Sequence, residues 1–153
     1  GIPAEPLFRS DPRVAKLSIV LMSQLGAGNA ALIFLAGLKA IPRTLYEAAE
    51  LDGAGQWGKF VHITLPMLTP VLLYNLVIGI IGGLQVFTQS YILTGGGPAN
   101  STLFYVYYLY NNAFAYSRLG YAAALSWILF VVSAVLSLLV FRSAARWVHY
   151  EIY

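Results

Sequence analysis

Residues Leu119 to Phe141 read LGYAAALSWILFVVSAVLSLLVF, a run of 23 positions without a charged side chain. At 1.5 Å per residue a helix of this length reaches about 35 Å, and the hydrocarbon core of a membrane is about 30 Å thick. Arg142 and Arg146 follow the run and are placed to reach the lipid headgroups. We therefore predict a transmembrane helix over residues 119–141.

Two further stretches lack charged side chains. The first is LSIVLMSQLGAGNAALIFLAGL, the 22 residues from Leu17 to Leu38, and it predicts a span over 17–38. The second runs for 58 residues from Phe60 to Ser117, which is too long for one helix. Prolines near its start and the sequence TGGGP at 94–98 break it. This pattern predicts a span over 68–93.

The composition agrees with a membrane protein. Of the 153 residues, 59% are hydrophobic and 10% are charged, too few charges to cover a soluble domain. The absence of cysteine excludes disulfides and thiolate metal sites, and a net charge of +3 is too small to favour nucleic acid. The fold class we predict is all-α, a polytopic membrane protein with three transmembrane helices.

Tyrosine is concentrated between the second and third predicted spans. Residues 101–121, STLFYVYYLYNNAFAYSRLGY, hold six of the eleven tyrosines. Tyrosine prefers the membrane interface, where its ring is in apolar surroundings and its hydroxyl is hydrated. One interpretation is an interfacial helix or hairpin on one face of the membrane. The alternative is an aromatic start to the third helix.

One segment has the composition of a soluble protein. Residues 41–66, IPRTLYEAAELDGAGQWGKFVHITLP, contain three of the six acidic residues. Thr44 and Glu47 have the spacing of a capping box and Gly53 suits a left-handed helix stop, so we predict a helix over 45–52. Apolar residues at helical spacing then predict a second amphipathic helix up to Pro66. The segment is either a solvated hairpin at the headgroups or a docking element for a partner protein.

The same segment resembles a known motif. Its pattern is EAA, three residues, glycine, nine residues and then ITLP, and it is similar to the EAA loop in permease subunits of ATP-binding-cassette importers that receive substrate from a binding protein. The string LTGGGPANSTLFYVYYLY is similar to the carbohydrate-uptake branch of that family. On this resemblance the residues that couple to the ATPase are Glu47, Ala48, Ala49, Gly53, Ile63, Leu65 and Pro66.

The resemblance also implies an orientation that charge does not provide, since five basic residues would lie on one side and four on the other. In this family the EAA loop is cytoplasmic, and the fold is that of a type I importer permease, of which this chain would be the C-terminal half. The implied order is an extracytoplasmic segment 1–16, a span 17–38, the cytoplasmic EAA loop 39–67, a span 68–93, an extracytoplasmic loop 94–118, a span 119–141 and a cytoplasmic tail 142–153.

The family further implies partners and a cellular location. These are a dimer of ATPase subunits, a second permease subunit, an extracytoplasmic sugar-binding protein and the bilayer of the bacterial plasma (inner) membrane. The chain has no G-x-x-x-x-G-K-[ST] phosphate loop, so ATP and Mg²⁺ would be bound by the partner subunit and the chain itself would not be an enzyme. The function implied is ATP-driven uptake of a sugar or related carbohydrate.

A substrate path requires polar groups that face other helices rather than lipid. On a helical wheel Asn75 and Gln89 share a face with two glycines and a valine, and Gln85 borders that face. The face is either a packing seam or a sugar contact. No acidic side chain lies within a predicted span, and His62 and His149 lie outside the spans. This leaves no candidate metal or catalytic site, and it disfavours the alternative function, an ion-coupled secondary transporter.

Overall fold

The structure, a computed structural model, describes residues 11–148, and within that range all regular secondary structure is helical. The predictions for residues 1–10 and 149–153, including the position of His149, lie outside the described residues. The described chain divides into two compact units. One comprises residues 11–27 and 80–135, and the other comprises residues 28–79 and 136–148.

The first predicted span is two helices rather than one. Helix α1 is Pro12–Leu25 and helix α2 is Gly28–Ala40. The backbone turns at Gly26, whose amide donates to the Ser23 carbonyl at 3.2 Å, so the α-helical bonding pattern ends there. Helix α1 also begins before the predicted start, because Asp11 accepts a hydrogen bond from the Arg13 amide at 2.8 Å and proline occupies the first helical position.

The polar segment forms two helical arms. Helix α3 is Arg43–Leu51. The second arm consists of helix α4 (Gln56–Lys59), the π-helix π1 (Phe60–Thr64) and the short helix α5 (Leu65–Met67). The prediction of two short helices joined by glycines is therefore confirmed, with bounds that differ by one or two residues for α3.

The second predicted span, 68–93, is also interrupted. Helix α6 is Thr69–Leu84, and the chain then leaves helical geometry before the π-helix π2, Ser90–Thr94. Gln85 donates through its amide to two carbonyls, those of Ile81 and Gly82, which is typical of a helix end. The face predicted to join Asn75 to Gln89 is therefore wrong, because the two residues do not lie on one continuous helix.

The tyrosine-rich segment is a separate element. Helix α7 is Tyr105–Tyr110 and the π-helix π3 is Asn111–Ala115. Ser117 has a positive φ of 53°, which turns the chain before helix α8, Leu119–Ala144. The interpretation of a separate aromatic helix is confirmed over that of a start to the third span; its place at a membrane interface stays a prediction.

Helix α8 is the one element among residues 11–148 that is by itself long and apolar enough to cross a membrane. Its 26 residues include a stretch with a mean hydropathy of 2.6, of which 6% is buried within the chain. Two pairs of helices pass the same criterion only when each pair is joined, and the pair Gln56–Met67 with Thr69–Leu84 is bent by 59°. Up to three spans are thus compatible with the structure, as predicted from the charge-free stretches.

Within the second unit, α2 packs closely on α6. A Cβ atom added at Gly37 would lie 2.8 Å from Val71 Cγ2 and 3.1 Å from Leu68 Cδ2. Glycine at this position therefore lets the two helices approach, as small residues do between membrane helices. The contact holds the N-terminal end of α6, which follows directly after the second arm of the polar segment.

Candidate functional site

We define the polar hairpin as residues 43–67, from the start of α3 to the end of α5. Helix α3 contains no buried residue. Its N-cap is Pro42, which makes no side-chain capping bond. The predicted capping box is therefore wrong, because Pro42 starts the helix early and places Thr44 inside its first turn. Among the described residues Glu47 makes no side-chain hydrogen bond or ion pair.

The end of α3 follows the prediction. Gly53 has a φ of 78°, in the left-handed region that glycine adopts without strain. Its amide donates to the Glu50 carbonyl at 3.0 Å, and the next amide, of Ala54, donates to the Ala49 carbonyl at 2.9 Å. This pair of bonds is the Schellman motif, and it reverses the chain within three residues.

The second arm departs from α geometry at π1. The Leu65 amide donates to the Phe60 carbonyl, five residues earlier, instead of four. Pro66 explains this departure, since it has no amide hydrogen and its ring would collide with a carbonyl one turn earlier in a regular helix. A π turn ahead of the proline moves that carbonyl away.

Two side-chain contacts join the arms. The Tyr46 and Thr64 hydroxyl oxygens are 2.8 Å apart and share a hydrogen bond. Lys59 Nζ donates to Glu50 Oε1 at 2.6 Å. Sequence reasoning missed both contacts; the signal available was that Tyr46 and Glu50 are four residues apart and lie on one face of α3.

The outer end of the hairpin is apolar and exposed. Leu51 is 91% exposed and Trp57 is 76% exposed. Phe60 stacks on Trp57 with ring centroids 5.6 Å apart, and it is also exposed. Large apolar side chains this exposed on an otherwise polar loop favour contact with a partner surface.

The motif residues are distributed over this hairpin. Glu47 and Ala48 are exposed on α3, and Ala49 is half-buried. On the second arm Leu65 is exposed, while Ile63 and Pro66 are half-buried on either side of the buried Thr64. The structure thus brings all seven motif residues into one hairpin, whose role in coupling stays a prediction.

The three predicted substrate-path residues have different environments. Asn75 is half-buried, and its amide Nδ2 donates to the Val71 carbonyl of its own helix at 2.9 Å. Gln85 is exposed at the end of α6, and Gln89 is half-buried just before π2. The structure does not bring the three together on one helix face.

The loop after π2 is held by a hydrogen-bond network. The Thr94 and Thr102 hydroxyl oxygens are 2.6 Å apart, and Thr102 Oγ1 also donates to the Gly97 carbonyl at 2.9 Å. The Ser90 hydroxyl donates to the Thr102 carbonyl, and both residues are fully buried. The glycine-rich sequence is therefore an ordered turn.

Aromatic rings pack beside this turn. Phe87, Tyr91, Tyr107 and Tyr110 lie with neighbouring ring centroids 5.1 to 6.0 Å apart. Hydrogen bonding to Tyr91, followed by the charge of Tyr91, raises the pKa of Tyr110 above its ordinary value.

Comparison with known proteins gives a consistent family. Residues 7–149 match the family described as binding-protein-dependent transport system inner membrane component. The chain is 42% identical to a probable ABC transporter permease protein, YesP, of Bacillus subtilis, over 99% of this chain and 50% of the relative. It is 47% identical to the arabinooligosaccharides transport system permease protein AraP of the same species, over 80% of this chain and 40% of the relative.

Two further similarities extend the comparison. The lactose transport system permease protein LacF of Rhizobium radiobacter is 41% identical over 94% of this chain and 50% of its own length. The crystal structure of a bacterial ABC transporter that imports the acidic polysaccharide alginate superposes with a TM-score of 0.79 at 27% identity, over 93% of this chain and 50% of that chain. The chain spans about half the length, or less, of these curated relatives.

Proposed function

The chain belongs to the family of binding-protein-dependent transport system inner membrane components, and on this premise we propose that it is part of the permease of an ATP-driven carbohydrate importer. The all-helical fold and the similarity to an importer structure support a type I permease fold. Relatives named for arabinooligosaccharides and for lactose support a carbohydrate substrate. Membership of this family supports a location in the inner membrane.

The polar hairpin is the element that we propose couples the permease to its ATPase. The observation that carries this proposal is the exposure of Leu51 and Trp57 beside a helix without a single buried residue. Exposed apolar side chains at the end of a short helix suit insertion into a groove of a partner protein. Glu47, exposed and without a partner among the described residues, supplies a charge that a basic residue of the ATPase can pair.

The coupling is mechanical on this proposal. ATP and Mg²⁺ are bound between two ATPase subunits, and closure of those subunits moves the groove that holds α3. Because the second arm continues towards α6, a displacement of the hairpin is passed to a membrane helix as a rigid-body movement. A second permease subunit supplies the other side of the path, and a binding protein delivers the substrate.

The substrate path is proposed to include Gln85 and Gln89. Gln85 follows the end of α6, where the helix is interrupted, and Gln89 lies in the next helical segment, just before π2. Asn75 is the weaker candidate, because its amide nitrogen already donates to the Val71 carbonyl. Neutral amides at an interrupted helix suit the hydroxyl groups of a sugar.

The proposal is tested with the full-length permease, its ATPase and its binding protein reconstituted in liposomes. Sugar-loaded binding protein is expected to stimulate ATP hydrolysis, and uptake of labelled sugar is expected to stop when ATP is replaced by a non-hydrolysable analogue. Uptake that continues without ATP and stops when the ion gradient is dissipated would refute the proposal in favour of ion-coupled secondary transport.

A further inference from the structure

The two arms of the polar hairpin are joined by what we call the two-rung ladder. Its rungs are the Tyr46–Thr64 hydrogen bond and the Glu50–Lys59 ion pair. None of these four residues is among the seven predicted coupling residues, although Thr64 lies within the ITLP string of the motif. The backbone between the arms turns at Gly53, where two hydrogen bonds close the end of α3, and the second arm begins at Gly55. The two side-chain contacts join the arms in addition to this backbone turn.

The rungs are in register because of π1. On α3 the rung residues Tyr46 and Glu50 are four apart, one turn of an α-helix. On the second arm Lys59 and Thr64 are five apart, and in a regular α-helix they would point about 140° away from each other. In a π turn the backbone bond links residues five apart, which places them above one another. The π turn thus brings both Lys59 and Thr64 to face α3.

The two ladder residues on the second arm, Lys59 and Thr64, are buried. The Lys59 side chain is 8% exposed, whereas the Glu50 side chain that pairs with it is 63% exposed. Thr64 is 9% exposed. Removing the Glu50 charge leaves a buried ammonium without its carboxylate, which is far less favourable than separating two exposed charges. The ion pair therefore resists a change in the angle between the arms.

We propose that Glu50 and Lys59 are positioning residues for coupling: their ion pair keeps the polar hairpin rigid, so that force applied to α3 reaches α6 rather than bending the hairpin at its glycines. This inference rests on the proposed function, since it concerns how the proposed docking helix transmits movement. Glu50 and Lys59 act through the hairpin and not by touching substrate or nucleotide.

The rigidity is measured in the full-length permease without transport. Cysteines are placed at Arg43 and His62, both exposed, with any cysteine elsewhere in the permease replaced by serine, and are spin-labelled. Electron paramagnetic resonance is expected to give a narrow distribution of distances between the two labels in the otherwise unchanged protein, and a broad distribution in Glu50→Gln. The swapped pair, Glu50→Lys with Lys59→Glu, is expected to give a narrow distance again. An unchanged width in Glu50→Gln would overturn the inference.

The consequence for coupling is measured as sugar imported per ATP hydrolysed in reconstituted liposomes. Glu50→Gln and Lys59→Gln are each expected to lower this ratio about tenfold, and the double variant is expected to be no worse than either single variant. The matched control is Glu47→Gln combined with Lys59→Gln, which is expected to be additive because Glu47 does not contact Lys59. The inference would be contradicted if the effects of Glu50→Gln and Lys59→Gln added up in the double variant.

The outcomes separate this inference from the proposed function. If the proposed function is wrong, the unchanged complex itself shows no ATP-dependent uptake, while the spin-label distance is still narrow. If only the inference about the ion pair is wrong, the unchanged complex imports sugar, and the Glu50→Gln complex imports the same amount of sugar per ATP hydrolysed. Should Glu50→Gln fail to accumulate in the membrane, the swapped pair decides: restored accumulation with a narrow distance supports the ladder, and a broad distance refutes it.

Discussion

Gly53 allows a sharp test of the polar hairpin, because Gly55 provides a matched control two residues away. Gly53 has a φ of 78°, whereas Gly55 has a φ of −70° as the N-cap of α4. An added Cβ would meet no atom within 4 Å at either position. The substitutions Gly53→Ser and Gly55→Ser therefore introduce the same side chain into equally open space and differ only in backbone conformation.

The expected magnitudes follow from that difference. Serine at position 53 must adopt the left-handed region at a cost of about 1–2 kcal/mol. Serine at position 55 is a preferred N-cap residue, with an expected effect within about 0.5 kcal/mol of zero. A cost of 1–2 kcal/mol corresponds to roughly a 5- to 30-fold increase in the opening of the turn.

Hydrogen exchange reports this opening directly. In the full-length permease the amides of Gly53 and Ala54, which donate to the Glu50 and Ala49 carbonyls, are expected to exchange faster in Gly53→Ser and at an unchanged rate in Gly55→Ser. Sugar imported per ATP is expected to fall in the first variant only. Equal behaviour of the two variants would refute the view that the left-handed turn at Gly53 fixes the hairpin.

Three further outcomes are expected. Glu47→Lys should leave membrane insertion intact but uncouple ATP hydrolysis from uptake, and unchanged uptake would contradict its role in docking. Gly37→Val should lower the free energy of unfolding by about 1–3 kcal/mol, because its added Cβ lies 2.8 Å from Val71 Cγ2; a thermal melt of the solubilised permease measures this. Tyr105→Phe removes the hydrogen bond to the Leu125 carbonyl, 2.9 Å long, and the same melt should show a loss of about 1 kcal/mol.

The polar hairpin was largely predictable because its signals are local. A glycine at a helix end, apolar residues at helical spacing and a proline at the far end predict two short helices with a left-handed turn at Gly53. The ladder was not predictable, because its register depends on the extra residue in π1. The capping box at Thr44 was wrong, because Pro42 fixes the start of α3 two positions earlier.

The three predicted spans are compatible with the structure, but two of them are not continuous helices. The charge-free stretches identify apolar chain, but the breaks at Gly26 and after Leu84 occur inside those stretches, where neither charge nor proline announces them. Helix α1 begins at Pro12 because the Asp11 side chain caps it, a local signal that a search for charge-free residues ignores. Hydropathy locates the membrane segments, and capping chemistry locates the helix ends.

Because the second arm contains a π turn, the positions of its motif residues depend on the number of residues in the arm. Nine residues separate the motif glycine, Gly53, from Ile63, and π1 occupies part of that interval. Most side chains within the interval can change without altering its length, whereas deletion of one residue would rotate Ile63, Leu65 and Pro66 by about 100° around the arm. The spacing in the motif is therefore a constraint on chain length rather than on composition, and shortening the interval by one residue should be tolerated less well than replacing several of its residues.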